Sequence, residues 1–422
     1  MMTELRSPEA MTPSHAVAFN TLAVSIPGVA GGQRLQAAAF FRKRLYVGVL
    51  GDGGGDRSRI ARLLRYYPGA ERWEAVFETP VATPDGSRQR GRRPFPLELG
   101  WRAITVMPDQ QGRETLCLSL LCARQPRLLL SDDGERFEAL TDEGESRPFG
   151  PLHAFQGWLF GALAGAMSDG IAEKSEGGAI LHASRDPRAG GWLSANVPGF
   201  GDPHNQVIHS FQVFQGWLYA AVGNPFAGFQ LWRTQARGEP PFDWDRVLEQ
   251  GAQRYSFNAA APAMAVFQDA LYIGTGVPMG EPLLEDAAGC ELIRVLPDGR
   301  WELVTGQPRF SPIGLQVPVS TRGPGFDDPA QTVLSCLASS GDALYAATLA
   351  RTPEAVSGFK LWQTVDGEQW RPIAAPTDGP SAACLPRVLM ALPKFLFVGG
   401  DRCSDPTGDR REAFVWFGKS EI

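Results

Sequence analysis

Lysine and histidine are both scarce in this 422-residue chain, with five of each. The lysines, Lys43, Lys174, Lys360, Lys394 and Lys419, fall mostly in turns or exposed strand positions, which argues against a Schiff-base enzyme. Cysteine is sparse too. Cys117, Cys122, Cys290, Cys336, Cys384 and Cys403 form no CxxC pair and no compact framework, so reduced, buried thiols are expected. No run of 18 apolar residues occurs, and Met1 to Ser14 is polar without an apolar signal region, so the expectation is an unexported, cytoplasmic protein with no membrane partner. Excess positive charge is also missing: the net charge is -6 and the pI about 5.6, which argues against a nucleic-acid surface. There is no HxH, no HExxH, no GxSxG elbow and no dinucleotide fingerprint. Gly51-Asp52-Gly53-Gly54-Gly55-Asp56 lacks the Lys-Ser/Thr ending and the helix of a phosphate loop, and reads as a loop, with calcium on Asp52 and Asp56 as the alternative. Any chemistry is therefore expected to need no cofactor and no metal.

What is present is repetition. Phe214-Gln215-Gly216-Trp217-Leu218-Tyr219-Ala220, Gly228-Phe229-Gln230-Leu231-Trp232-Arg233-Thr234 and Phe242-Asp243-Trp244-Asp245-Arg246-Val247 recur in degraded form. The best second copy is Ala343 to Thr348, Gly358-Phe359-Lys360-Leu361-Trp362-Gln363-Thr364-Val365-Asp366-Gly367 and Gln369-Trp370-Arg371. Each copy reads as four antiparallel strands, with alternation in Leu271-Tyr272-Ile273-Gly274-Thr275 and a turn at Pro297-Asp298-Gly299. Anchors at Tyr46, Leu118, Phe160, Tyr219, Tyr272, Tyr345 and Phe397 give a mean pitch of about 58 residues, above the ~40 to 50 of common propeller repeats, so long loops must be inserted. The expectation is an all-β fold: one seven-bladed β-propeller of four-stranded antiparallel blades over 1–422. Its blades fall near 33–80, 98–142, 150–198, 205–250, 258–306, 331–375 and 385–422, and 1–14 is disordered or extended. The last unit lacks a fourth strand while Val17 to Ile26 is a strand without partners, so a strand within 15–30 is expected to complete the last blade and close the ring.

These phrases resemble a widespread family of bacterial propeller repeats with the pattern GFGDxxN, FxGxLYxGT and GxxLWRTxDGxxW. The likeness covers nearly the whole chain and is clearest at Gly199-Phe200-Gly201-Asp202-Pro203-His204-Asn205 and Gly325-Phe326-Asp327-Asp328-Pro329. The first two units depart most, with Gly134 and Phe137 around Ser131-Asp132-Asp133. Such turns also look like degenerate Asp-box turns of sialidases, without an assignable arginine triad. The chain is distantly similar to propeller domains of enzymes that alkylate resorcinols or carboxylates or cyclise natural products. Those alkylating enzymes carry an N-terminal calcium-binding domain to which the resemblance does not extend, so it implies a fold and no catalytic residues.

Loop lengths point to a working face. Turns between first and second strands, such as Gln156-Gly157 and Gln268-Asp269, are short, as are those between third and fourth strands. The long connections, Gly51 to Ser58, Thr79 to Leu99, Gly165 to Gly178, Pro278 to Gly289 and Thr305 to Ala330, all open on the opposite end of an antiparallel blade. On that face Asn205, Asn258 and Gln331 share one register and are expected to ring the channel mouth as substrate-binding amides, or to satisfy loop backbone. His204 is the leading general acid/base, oriented by Asp202 or Asp328, with Asp328, Arg254 and Asp401 as further catalytic candidates. Trp101, Tyr255, Phe257, Phe326 and Arg102 complete the expected substrate-binding set, beside Phe95, Phe226 and Phe310. Ser87-Arg88-Gln89-Arg90-Gly91-Arg92-Arg93 reads as a solvated loop with an oxyanion clamp as the alternative. The resulting functional expectation is a biosynthetic enzyme of secondary metabolism, alkylating or cyclising a small, partly apolar substrate by acid/base and electrostatic catalysis. A non-enzymatic protein-interaction scaffold stays open, as does a glycan hydrolase or lectin using Asp327 and Asp328 with Glu281 or Glu285.

Overall fold

The structure, a computed structural model, describes residues 18–22, 33–52, 59–67, 72–79, 98–109, 111–122, 127–140, 149–163, 167–168, 171–172, 177–277, 289–351, 356–374, 384–392, 395–403 and 411–419. Strands dominate because apolar and polar residues alternate and because tight turns reverse the chain every few residues. The hairpins between first and second strands place two consecutive residues at positive φ: Arg42 and Lys43 (48° and 63°), Gln156 and Gly157 (50° and 75°), Gln215 and Gly216 (50° and 75°), and Gln268 and Asp269 (44° and 56°). That is the geometry whose twist matches the flanking strands.

Four meander sheets follow in chain order. The first comprises Gln33–Phe41, Arg44–Asp52, Arg59–Tyr67 and Arg72–Glu78; the second, Glu98–Pro108, Glu114–Cys122, Arg127–Ser131 and Glu138–Leu140. The third runs Phe149–Phe155, Trp158–Leu163, Leu181–Ser184 and Leu193–Ser194; the fourth, Val207–Phe214, Trp217–Gly223, Gln230–Thr234 and Asp245–Leu248. The last sheet holds Cys384–Leu392, Phe395–Cys403 and Arg411–Lys419, and Ala18–Leu22 pairs antiparallel with Arg411–Lys419 as its fourth strand.

The expected count of seven four-stranded blades is corrected here: among the described residues five four-stranded blades are present, and of the other twelve strands eight form one continuous sheet and four form two small hairpins. The leading half of the continuous sheet is Ala260–Phe267, Ala270–Gly276, Leu292–Val295 and Trp301–Thr305; its trailing half is Gln331–Ser339, Leu344–Arg351, Val356–Thr364 and Arg371–Ile373. A single bridge, Gly276 to Val333, joins the halves, supported by the Val277 amide donating to Thr332 O at 3.0 Å.

Hydrophobic clusters lie between neighbours rather than within sheets. Tyr46 and Leu63 of the first sheet pack on Trp101, Leu118 and Leu120 of the second, and Leu35, Val47 and Leu64 pack on Val388, Phe397 and Val415 of the last. That second contact closes the ring, giving the propeller arrangement. The anchor tyrosines Tyr46, Tyr219, Tyr272 and Tyr345 are all buried. A Cβ on Gly134 or Gly367, both at φ +76°, would overlap the hydroxyl of Tyr46 or Tyr272, so each tight-turn glycine seats on the tyrosine of the preceding unit. Burial pushes the free thiols of Cys117 and Cys290 up to about 12 and that of Cys336 to about 11, which makes them inert packing groups. Among the described residues no helix is long and apolar enough to cross a membrane.

Candidate functional site

The long-loop face is organised by a recurring clasp. At Gly199-Phe200, Gly251-Ala252 and Gly325-Phe326 two consecutive residues adopt left-handed conformations, with φ between 54° and 64°. The wiring around them is the same each time. The amides of Gly199, Gly251 and Gly325 donate to Ala179 O, Phe229 O and Cys290 O, and the amides of those three residues donate to Asn205 O, Asn258 O and Gln331 O, at 2.6 to 3.0 Å throughout. The clasps of Phe200 and Phe326 are locked by stacking, Phe200 on Trp232 at 4.9 Å and Phe326 on Trp362 at 4.5 Å.

The three register-matched amides serve this clasp. Asn205 and Asn258 are fully buried and Gln331 is 4% exposed. Asn205 Nδ2 donates to Gly199 O and Gln230 Oε1; Asn258 Nδ2 donates to Gly251 O and Glu291 Oε2. Gln331 donates to Asp328 and accepts from the Thr348 hydroxyl. Asn205 and Asn258 thus each bind a clasp carbonyl, whereas Gln331 is held by the side chains of Asp328 and Thr348.

His204 differs. Its clasp carries an aspartate turn in which the His204 amide donates to Asp202 Oδ1 at 2.9 Å, and the equivalent loop repeats the turn with Ala330 donating to Asp328 Oδ1 at 3.1 Å. The turn therefore needs no imidazole at that place. His204 nevertheless sets Nδ1 3.1 Å from Asp202 Oδ1, remains 57% exposed, and meets the edge of exposed Phe226 at 4.9 Å. Asp202 is itself held from behind, its Oδ2 accepting from Asn224 Nδ2 at 3.1 Å, while Asn224 Nδ2 also donates to Asn205 Oδ1.

Beneath this mouth the innermost strands line an axial channel, and every one carries a β-bulge near the same depth. The register slips at Leu35/Ala37, Trp101/Ala103, Phe149/Leu152, Ile208/Ser210, Ala260/Ala263, Leu334/Cys336 and Pro386/Val388. A bulge takes its residue out of the alternation and re-aims the side chain. The residues so placed include Gln36, Arg102, His209, Ser335 and Arg387. Arg102 and Arg387 are exposed in the middle of innermost strands, between residues that are less exposed. Gln36 Oε1 accepts from the Trp101 amide at 2.9 Å, pinning the bulge that carries Arg102. Burial lowers the Arg102 pKa, as does the like charge of nearby Arg387. Arg387 Nε lies 3.2 Å from Asp401, which is 1% exposed. Burial pushes His209 and His153 down to about 4, so both imidazoles are neutral at pH 7.

The remaining anticipated residues are placed as follows. Arg254, 5% exposed, is committed to Asn258, Gly289 O and buried Glu291, and burial lowers its pKa despite that carboxylate. Trp101 is buried against Gly48, and Phe326 lies between Trp362 and Trp370. Tyr255 is exposed and Phe257 half-buried. Burial alone would raise the Asp328 carboxyl, but Lys360 Nζ at 2.7 Å, the Ala330 amide and Gln331 hold it below the usual range. Asp327 pairs with Arg322 at 2.9 Å. Phe95, the Arg88 to Arg93 segment, Asp56, Glu281 and Glu285 lie outside the described residues. Arg387 went unnoticed in the sequence, although a lone arginine inside the apolar run Leu385 to Leu392 was a visible signal. The short-turn face carries a separate cleft of about 560 Å³ lined by Arg42, Asp109, Arg113, Asp132 and Arg188, with Arg188 bridging Asp132 and Glu138.

No protein-family model matches this chain. No curated protein matches it either. Solved structures do. Virginiamycin B lyase from Staphylococcus aureus aligns at TM-score 0.52 and 9% identity over 96% of this chain and 99% of its own. A xyloglucanase from Xanthomonas campestris aligns at 0.51 and 17% over 94% of this chain and 55% of its own, and a prolyl endopeptidase at 0.50 and 9% over 93% and 50%. The likeness is one of fold. This chain spans about half the length of the endopeptidase and the xyloglucanase and nearly all of the lyase. All three similar proteins are enzymes built on a propeller.

Proposed function

We propose that the protein is a cofactor-independent enzyme that binds a small, partly apolar molecule at the long-loop mouth of its channel and transfers a proton through His204, in a biosynthetic alkylation or cyclisation. The observation that carries the reading is the His204–Asp202 pair. With Nδ1–H donating to Asp202, the Nε2 lone pair faces outward as the proton acceptor. Asn224 fixes Asp202, so the pair keeps its geometry in the absence of substrate, and Phe226 offers an apolar surface beside it. A lyase of nearly the same extent, solved as a catalytically inactive variant with Quinupristin, illustrates small-molecule chemistry on such a ring.

The test works with the substrate still unidentified. Small-molecule extract of the host is incubated with wild type and with His204→Ala, and the pool is profiled by mass spectrometry. The reading requires at least one compound consumed by wild type and spared by His204→Ala; identical profiles would contradict it. A second reading, the interaction scaffold, is favoured by one feature: Phe310, Ile313, Leu315 and Val317, each more than half exposed on and beside the hairpin of Arg309–Ser311 and Gly314–Gln316.

A further inference from the structure

The hairpin of Arg309–Ser311 and Gly314–Gln316 carries its polarity inside out. A ribbon laid on a folded body ordinarily turns its apolar face inward and its polar face to water. Here Arg309, Ser311 and Gln316 are half-buried, while Phe310 is 79% exposed and Leu315 and Val317 are 56% and 54% exposed. Phe310 lies directly opposite Leu315, and Val317 follows two residues on, so the three fall in one row on one face. The inner face is fastened down. Arg309 Nε donates to Ala252 O at 2.8 Å, and its Nη1 donates to Glu291 Oε1 at 2.8 Å and Gln307 O at 3.0 Å. Just beyond the hairpin the amides of Val319 and Ser320 donate to Leu303 O and Val304 O at 2.9 and 3.2 Å. Hydrogen bonds before and after the row therefore hold it outward.

Charge decides the class of partner. No charged residue occurs from Phe310 to Thr321. The arginines at either end are engaged, Arg309 by Glu291 at 2.8 Å and Arg322 by Asp327 at 2.9 Å. Nucleic acid or an acidic peptide finds no cation on this face to hold it. Beside the tip a cleft of about 340 Å³ is lined by Val247, Leu248, Ala252, Trp301, Pro312 and Ile313. Charges at its rim are paired within the chain, Arg300 with Asp298 at 2.6 Å and Glu249 with Arg246 at 2.7 Å. An uncharged ridge thus lies beside an uncharged hollow. A two-fold dimer needs a patch that is its own complement, and this one meets its copy with no like charges opposed. Among the described residues each hairpin strand also keeps one edge without a strand partner.

We propose that this face is the contact between two copies of the chain related by a two-fold axis, with the Phe310, Leu315 and Val317 row of each packed on the same face of the other. The inference goes beyond the enzyme reading and does not depend on it. It gives an occupant to the feature that favours the scaffold. Each copy carries a net charge of -6, so long-range repulsion opposes the contact at low salt and screening strengthens it.

The experiment is sedimentation equilibrium of the full chain over a concentration series, at about 50 mM and about 500 mM sodium chloride. The expected result is a reversible rise from one-chain to two-chain mass, with the smaller dissociation constant at the higher salt. Phe310→Ser and Leu315→Asp should each weaken association about tenfold or more, with an unchanged melting temperature because both side chains are exposed in the single chain. Should one variant lose stability, the other carries the test. One-chain mass at every concentration, a dissociation constant that grows with salt, or a dimer indifferent to both substitutions would each overturn the proposal. Flotation with phosphatidylcholine vesicles covers the remaining occupant: wild type that stays one-chain and floats, with Phe310→Ser left behind, assigns the face to lipid and overturns the second copy.

Discussion

Glu291→Gln probes the most heavily loaded buried charge in the structure. Glu291 is fully buried; its Oε1 lies 2.8 Å from Arg309 Nη1 and 3.5 Å from Arg254 Nε, and accepts the Gln307 amide at 2.9 Å, while Oε2 accepts from Asn258 at 2.8 Å. The preceding unit performs the substitution by itself: Gln230 accepts from Asn205 at 2.9 Å without an arginine pair to neutralise. Glutamine at 291 therefore keeps the Asn258 hydrogen bond but takes the Glu291 carboxylate away from two guanidiniums whose side chains are only 5% and 11% exposed. Stripping one partner from a buried ion pair costs about 3–5 kcal/mol. For a chain of this length the melting entropy is roughly 0.9 kcal/mol/K, so the midpoint should fall by about 3–6 °C in calorimetry. Adding Arg309→Met to Glu291→Gln should recover part of that loss, because the uncompensated charge goes with it. A shift under about 1 °C for Glu291→Gln, or strictly additive losses in the double variant, would refute the reasoning.

Phe326→Ala removes the ring stacked on Trp362 and edge-on to Trp370, and should cost about 3–5 kcal/mol by denaturant titration; a loss under about 1 kcal/mol would mean that the clasp does not depend on the stack. Gly367→Ala forces a Cβ into the Tyr272 hydroxyl at φ +76°, and is expected to lower the midpoint measurably, whereas Gly216→Ala, with nothing within 4 Å, should cost only its backbone strain. Stability should also depend on pH through His153 and His209. Both have native values near 4, below the ordinary 6.5, so the unfolded chain takes up protons first as pH falls. Their contribution is complete above about pH 6.5 and is lost as pH drops toward 4, by at most about 3 kcal/mol each. Denaturation midpoints from pH 7 to 4.5 should fall less steeply in His209→Asn than in wild type; parallel curves would contradict the assignment.

Much of the architecture was legible because the strand phrases repeat with their turns: Leu271 to Thr275, Pro297-Asp298-Gly299 and the Ser131 to Gly134 turn all form as the residue pattern implies. The blade count was not, since it turns on one backbone bridge at Gly276 that no side-chain pattern announces. At the mouth, the common register of Asn205, Asn258 and Gln331 could be read from the alignment of repeats. The direction of their amides is set by paired left-handed residues that sequence does not display. His204 and Asp202 stood out as a histidine and a carboxylate two residues apart, close enough in any turn to meet. Arg387 did not, because its exposure depends on a bulge three residues before the strand position that faces the anchor Phe397.

The most direct measurement is a structure of the protein purified gently from its own host, with mass spectrometry of whatever small molecule it retains. The enzyme reading predicts a bound metabolite in the axial channel, with a reacting atom within hydrogen-bond reach of His204 Nε2. A metabolite seated instead in the short-turn cleft of Arg42, Asp109 and Arg188, or a co-purifying polypeptide on the Phe310 hairpin with the channel mouth unoccupied, would contradict it.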